Sequence, residues 1–257
     1  MPHAPRLGPG LRRLPVAHRA LHDPGQGRPE NSRAAIRAAI AAGYAIEIDL
    51  QLSRDGQVVV FHDDGLNRLT DGTGLVRDHD LADLARLRLK GSDETIPTLA
   101  EVLDLVGTRA PLLIELKDQT GRLAQTDGRL EEATARLLAA HDGEVAVMSF
   151  NPHCVALMAD LLPDVPRGRT TCGFASADWG LPEARCAQLR AITDLKQLGA
   201  RFVSHEAADL GRPVLDRLAA MGIDILCWTI RDPQAELHAR RRACNITFEG
   251  YMAALPE

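Results

Sequence analysis

The sequence predicts a (β/α)8 TIM barrel, in which eight parallel strands close into a cylinder surrounded by helices, and three observations support this fold. Short β-rich apolar runs alternate with Ala- and Leu-rich helical stretches along almost the whole chain, which is typical of βα units and a parallel sheet. Eight such runs can be counted. The length of 257 residues matches the roughly 250 residues of one such barrel. Two smaller domains would fit the same length, but the strand count favours a single barrel domain over residues 1–257.

The predicted strands are the runs in which apolar and β-branched residues lie between turn residues. In chain order they cover residues 14–18, 45–50, 112–117, 145–150, 167–171, 201–204, 223–230 and 245–248.

Two helices and one insertion are marked between these strands. The first helix has Asn31 and Ser32 as candidate caps and ends at Gly43, and the second begins after Thr98 and ends at Gly107. Residues 51–97 separate the second strand from the helix expected to follow it, so we interpret them as an insertion. Long loops in a barrel enzyme are usually functional, because the chemistry is carried by the loops at the C-terminal ends of the strands.

Composition excludes several classes of function. A net charge of −5 and an aromatic content of 4% argue against nucleic-acid binding. No apolar run approaches the roughly 20 residues of a membrane span, and the stretch 1–13, which we expect to be loosely held, lacks the apolar segment of a secretory signal. Five cysteines without C-x-x-C spacing predict core residues in a cytoplasmic protein, not disulfides or a zinc site. Oligomeric state is not indicated.

Acidic residues in two predicted strands indicate a metal site. Side chains alternate between the faces of a strand, so Glu47 and Asp49 share one face of the second strand, as Glu115 and Lys117 do in the third. A single acidic residue in a strand usually faces solvent. Three carboxylates at one end of a barrel would repel one another strongly without a divalent ion, and their hard oxygens suit Mg²⁺ or Ca²⁺, with Mn²⁺ as an alternative.

Histidines and cations are predicted at the same end of the barrel. His18 ends the first strand and precedes Arg19, and His62 ends a β-rich run within the insertion. Each histidine could instead be a surface or structural residue, and Arg19 and Lys117 could form only salt bridges. Together with the carboxylates, however, these groups suit metal-assisted cleavage of a phosphodiester.

Five motifs in the first half of the chain resemble those of the glycerophosphodiester phosphodiesterase family. They are A-H-R-A (17–20), P-E-N-S (29–32), I-E-I-D-L-Q-L-S-R-D-G-Q-V-V-V-F-H-D-D-G-L-N-R-L-T-D-G-T-G (46–74), I-P-T-L-A-E-V-L (96–103) and L-L-I-E-L-K (112–117). The resemblance is specific over residues 16–117 and looser afterwards, where M-S-F (148–150) and C-W-T-I (227–230) are similar to the family's later strand ends.

The resemblance implies a barrel with a small insertion after the second strand, and hydrolysis of a glycerophosphodiester to glycerol 3-phosphate and an alcohol through a cyclic phosphate. It implies these site residues: Glu47, Asp49 and Glu115 for the divalent metal, His18 and His62 as the acid/base pair, Arg19 and Lys117 for the phosphate, Glu30 in support, and Trp228 lining the pocket.

The chain also departs from the family's motifs. Ala20 replaces the usual glycine after His18-Arg19, Arg68-Leu69-Thr70 replaces R-T-T, and I-T-F-E-G (246–250) replaces I-T-D-R-P. These changes leave the substrate open. One alternative is a lysophospholipase D-type phosphodiesterase with an apolar groove, and another is a barrel that binds glycerophosphodiesters without cleaving them.

Overall fold

The computed structural model describes residues 5–256. Its strands are β1 (Val16–Ala17), β2 (Ala45–Leu52), β3 (Val58–Val60), β4 (Leu112–Leu116), β5 (Val145–Ser149), β6 (Arg167–Thr171), β7 (Phe202–Glu206), β8 (Asp224–Ile230) and β9 (Asn245–Phe248). Its helices are α1 (Pro9–Arg13), α2 (Arg33–Ala42), α3 (Leu81–Leu84), α4 (Leu99–Val106), α5 (Arg129–Leu138), α6 (Pro152–Leu161), α7 (Ser176–Trp179), α8 (Glu183–Ala191), α9 (Pro213–Ala220) and α10 (Pro233–Ala239).

These strands form the closed (β/α)8 barrel that the sequence predicts. The sheet order is β1-β9-β8-β7-β6-β5-β4-β2-β3, and β1 also pairs with β2, which closes the cylinder. Every pairing around the barrel is parallel. Only β3 is antiparallel, and it pairs with the end of β2. All eight predicted strands are therefore confirmed, and β3 belongs to the predicted insertion.

Local signals in the sequence explain where two barrel helices begin and end. The Ser32 side chain accepts a hydrogen bond from the Ala35 N–H at the start of α2, and Gly43 ends that helix at φ +78°, a left-handed conformation that glycine adopts without steric cost. Thr98 and Glu101 form a reciprocal capping box at the start of α4. Both helices were predicted from these residues.

The barrel interior is apolar at its N-terminal end, and the start of the chain covers that end. Leu113, Phe202 and Leu226 belong to a buried cluster that also contains Leu7 and Leu11. Leu11 is fully buried in α1. The prediction that residues 1–13 are loosely held is therefore wrong for residues 5–13, because two leucines are buried there, while residues 1–4 lie outside the described part of the chain.

The insertion has its own apolar cluster beside the C-terminal end of β2. Its buried members are Val59, Phe61, Leu66, Val76, Leu84, Leu89 and Ile96. The Phe61 N–H donates to the carbonyl of Asp49 at 2.9 Å. This bond ties the segment that carries His62 to the end of the barrel where β2 terminates.

Two expectations from composition can be compared with the described residues. Four of the five cysteines are buried free thiols, as expected for core residues, and Cys244 is an exposed one. Among residues 5–256, no helix has the length and apolar character needed to cross a membrane.

Candidate active site

Three buried carboxylates meet inside the barrel. Strand alternation points Glu47 and Asp49 away from the outer apolar layer, which contains Ile48. Strand β4 places Glu115 beside Asp49 in register. One oxygen from each of the three carboxylates lies within 4.8 Å of the others. The three residues are only 2%, 1% and 6% exposed, so the predicted convergence is present in the fold.

The electrostatics of this acidic cluster show a shortage of positive charge. Burial, reinforced by the charges of Asp49 and Glu115, raises the pKa of Glu47 well above its ordinary value. Burial acts in the same direction on Asp49, but the charges of Lys117, His62 and Arg19 together outweigh it and lower that pKa. The Lys117 ammonium lies 2.7 Å from both Asp49 and Glu115. One ammonium cannot balance three carboxylates, so hard oxygen donors with excess negative charge fit a divalent cation here.

Arg19 and Glu30 border the acidic cluster. The Arg19 backbone N–H donates to Glu47 at 2.8 Å, and its guanidinium lies 2.9 Å from Glu30 and 3.8 Å from Asp49. Arg19 therefore brings a second fixed positive charge to the same end of the barrel, held in place by Glu30.

Ala20 occupies a backbone conformation that favours glycine. Its φ is +64°, and its neighbour Arg19 is also left-handed at +51°. The Ala20 N–H nevertheless donates to the Glu47 carbonyl at 3.0 Å, and the residue is 1% exposed. The loop thus keeps a glycine-like path, at the steric cost that a Cβ incurs there.

His18 is oriented by a carboxylate from the opposite end of the sequence. Its Nδ1 lies 2.6 Å from an oxygen of Glu249. Burial lowers the pKa of His18 despite the opposing hydrogen bond from Glu249. The imidazole is therefore neutral at neutral pH and able to accept a proton.

His62 is oriented by its neighbour in the sequence. Its Nδ1 lies 2.7 Å from Asp63, and Arg68 donates to both Asp63 and Glu30. The charge of His62 also helps to lower the pKa of Asp49, second to that of Lys117 and against the effect of burial. Both histidines thus lie in the electrostatic environment of the acidic cluster, since Asp49 likewise affects His18.

Trp228, in β8, lies close to one aromatic residue that follows β5 and to another that ends α7. Its ring centroid is 5.7 Å from that of Phe150, which is itself 5.0 Å from that of Trp179. The indole N–H donates to the Ser204 carbonyl at 3.1 Å. Since Phe150, Trp179 and Trp228 are all partly exposed, they offer an apolar surface at this end of the barrel.

Two residues that contact predicted site residues were not identified as functional from the sequence. Asn31, a candidate helix cap, does not cap α2; its side-chain amide donates to Asp49 at 2.9 Å, and Ser32 is the cap. Glu249 contacts His18 from 231 residues away in the chain, and no local pattern predicts that pair. By contrast, the H-D dipeptide at 62–63 could have indicated the Asp63 contact.

Comparison with known sequences gives one consistent family. The profile of the glycerophosphoryl diester phosphodiesterase family matches residues 18–248. The chain is 30% identical over 213 residues to a Bacillus subtilis (strain 168) protein named "Putative glycerophosphodiester phosphodiesterase YhdW", covering 79% of this chain and 82% of that protein. It is also 30% identical to a glycerophosphodiester phosphodiesterase of Caldanaerobacter subterraneus subsp. tengcongensis, over 62% of this chain and 66% of that protein.

Solved structures with the same fold include two phosphodiesterases. One is an Oleispira antarctica phosphodiesterase in complex with the product sn-glycerol-3-phosphate, with a TM-score of 0.75 and 27% identity over 97% of this chain and 94% of that one. The other is a glycerophosphodiester phosphodiesterase from Parabacteroides distasonis, with a TM-score of 0.72 and 21% identity over 92% of both chains. The second supports the fold alone.

Proposed function

This chain belongs to the glycerophosphoryl diester phosphodiesterase family, and we infer that it hydrolyses glycerophosphodiesters to glycerol 3-phosphate and an alcohol. The observation that carries this inference is the acidic cluster, whose three buried carboxylates bring their oxygens within 4.8 Å of one another. Two imidazoles, each hydrogen-bonded to a carboxylate, accompany it. This is the set of groups that metal-assisted cleavage of a phosphodiester needs.

Glu47, Asp49 and Glu115 are the proposed metal ligands. When bound, a divalent cation polarises the phosphate and stabilises the attacking oxygen. Carboxylate oxygens favour Mg²⁺ or Ca²⁺, with Mn²⁺ as an alternative.

His18 and His62 are the proposed proton-transfer pair. His18 is the base, because its lowered pKa keeps it neutral at neutral pH. It takes the proton of the glycerol hydroxyl as that oxygen attacks phosphorus, and His62 protonates the departing alcohol. Water then opens the cyclic phosphate, and the two imidazoles exchange their roles.

The proposed phosphate-binding residues are Arg19 and Lys117. Arg19 presents its guanidinium from a position fixed by Glu30. Lys117 is already paired with Asp49 and Glu115, so binding of a divalent cation would free part of its charge for the substrate. Trp228, with its partly exposed aromatic neighbours, lines the pocket for the non-reacting part of the diester.

Deacylated phospholipid head groups are the proposed substrates, with glycerophosphocholine and glycerophosphoethanolamine as the first to test. Residues 1–257 act as one barrel domain, in the cytoplasm. The net charge of −5 supports a small-molecule substrate over a nucleic acid.

A panel of diesters, measured with and without chelator, tests the activity. The release of glycerol 3-phosphate is monitored through a coupled enzymatic oxidation of that product. Mg²⁺, Mn²⁺ and Ca²⁺ are each supplied in turn. Metal-dependent turnover that a chelator abolishes is expected. Saturable binding of glycerophosphocholine without turnover under any of the three metals would instead identify a binding barrel.

The partly exposed aromatic residues favour a second candidate, a lysophospholipase D-type activity. Phe150, Trp179 and Trp228 form an apolar surface that an acyl chain could cover. Mass analysis of products from lysophosphatidylcholine and glycerophosphocholine separates the two, and exclusive cleavage of the lipid would select this second activity.

A further inference from the structure

Glu249 is placed beside His18 by the closure of the barrel. Strand β9 pairs with β1 in parallel, and the His18 N–H donates to the Phe248 carbonyl at 2.9 Å. On the other side, the Glu249 N–H donates to the Ile230 carbonyl at 2.9 Å. Backbone hydrogen bonds to neighbouring strands therefore fix the positions of both residues independently of the contact between their side chains.

The carboxylate of Glu249 is surrounded by donors. One oxygen lies 2.6 Å from His18 Nδ1 and 3.5 Å from His22 Nε2, and the other lies 2.8 Å from the Arg231 guanidinium. The hydrogen bond from His18 and the nearby His22 imidazole lower the pKa of Glu249. The group is thus ionised at neutral pH, and an ionised carboxylate can only accept hydrogen bonds.

The hydrogen position on His18 follows from this contact. Because Glu249 cannot donate, the 2.6 Å contact requires the proton on Nδ1. In a neutral imidazole the other nitrogen, Nε2, then has the free lone pair. A base that must accept a proton through Nε2 is held in the required form, and its ring can no longer rotate freely about the Cβ–Cγ bond.

We propose that Glu249 is a positioning residue that holds the His18 imidazole in one orientation and in the Nδ1–H form. The catalytic consequence rests on the function proposed above, whereas the tautomer does not. Position 249 lies in the I-T-F-E-G segment (246–250), one of the places where the chain departs from the family's usual sequence. His18 and His62 thereby have equivalent supports, one from a distant strand and one from the adjacent Asp63.

The first test is the tautomer itself, read from long-range ¹H–¹⁵N NMR correlations of the ¹⁵N-labelled full chain with Mg²⁺ present. His18 in the wild type is expected to show the Nδ1–H pattern alone. In Glu249→Ala, the ring is expected to populate both tautomers. This readout does not depend on turnover, so it tests the positioning role even if no diester is hydrolysed.

The second test is kinetic. Glu249→Ala is expected to lower kcat at least about tenfold, as for the loss of other carboxylates that orient a histidine, while KM stays within about twofold. Glu249→Gln is expected to lose less, because its amide oxygen can still accept from Nδ1–H. Arg231→Ala is the matched control, since it removes a two-thirds exposed cation from the same carboxylate and leaves the imidazole contact intact.

Two outcomes would overturn the proposal. One is a Glu249→Ala protein in which His18 keeps the pure Nδ1–H form and full kcat. The other is an equal loss in Arg231→Ala and Glu249→Ala, which would indicate a general structural effect. Should Glu249→Ala fail to fold, Glu249→Leu decides the matter by the same two readouts, because leucine fills a similar space but cannot accept the Nδ1–H hydrogen bond.

Discussion

Replacing Glu47 with Gln should stabilise the metal-free protein and destabilise the metal-bound one relative to the wild type. The three carboxylate oxygens lie within 4.8 Å of one another, and two unit charges at that limit repel by about 3.5 kcal/mol at an effective dielectric constant of about 20. The alternative is to protonate Glu47. That costs about 1.4 kcal/mol per pH unit above its ordinary value of 4.5, or roughly 3 kcal/mol at pH 7. A glutamine has the same shape without this cost.

The expected gain in free energy of unfolding is smaller than either figure, because Lys117 already compensates part of the repulsion. We expect about 2 kcal/mol without metal, which corresponds to a rise in Tm of about 4–8 °C for a chain of this size. With metal at about 100 times its Kd, the wild type gains about 2.7 kcal/mol. We expect the loss of one charged ligand to weaken the variant's Kd for the metal by at least about 45-fold, so that its gain stays below about 0.7 kcal/mol and the order of the two Tm values reverses.

Differential scanning calorimetry in EDTA and in Mg²⁺ measures both effects. Glu132→Gln, which removes an exposed carboxylate from α5, is the matched control and should change neither Tm. The pH dependence gives a further check. Folded Glu47 holds its proton more tightly than unfolded Glu47, so its penalty grows as pH rises above 4.5 and vanishes below that value. A Glu47→Gln protein that is less stable than the wild type in EDTA, yet gains as much from Mg²⁺, would refute the reasoning.

Three further predictions follow from the same geometry. His18→Ala and His62→Ala should each lower kcat by at least about 10²-fold without lowering Tm; near-wild-type rates for both would contradict the acid/base assignment. Binding of Mg²⁺ should release protons and tighten as pH rises, because the raised pKa of Glu47 favours the protonated form of that ligand in the metal-free protein. Calorimetry in buffers of different ionisation enthalpy measures the proton release, and its absence would contradict this prediction. Thr98→Ala should lower the free energy of unfolding by about 1 kcal/mol through loss of the capping box and leave kcat unchanged. Urea unfolding measures this loss, and an unaltered midpoint would show that the cap does not stabilise the protein.

Local sequence rules were sufficient for most of the barrel and part of the site. The alternation of β2 alone puts Glu47 and Asp49 on one face, and the parallel register with β4 adds Glu115. The caps at Ser32 and Thr98 are likewise local, since donor and acceptor lie three residues apart. Strand alternation and helix capping both act within a few residues, so a short segment of sequence is enough to predict them.

Contacts between distant segments depended on the tertiary structure. The N-terminal leucines Leu7 and Leu11 are buried only because the barrel has an open apolar end for them to cover. Asn31 binds Asp49 instead of capping α2, because the loop after β1 returns across the acidic cluster. Neither arrangement has a signature in the neighbouring residues.

What the sequence by itself determined is therefore the set of strands and the face on which each ionisable group lies, because period-two alternation and helix capping act within a few residues. Only the tertiary structure decided which carboxylate supports His18. Glu249 reaches it across 231 positions because the last strand of a closed cylinder must pair with the first, and that closure is a property of the whole sheet.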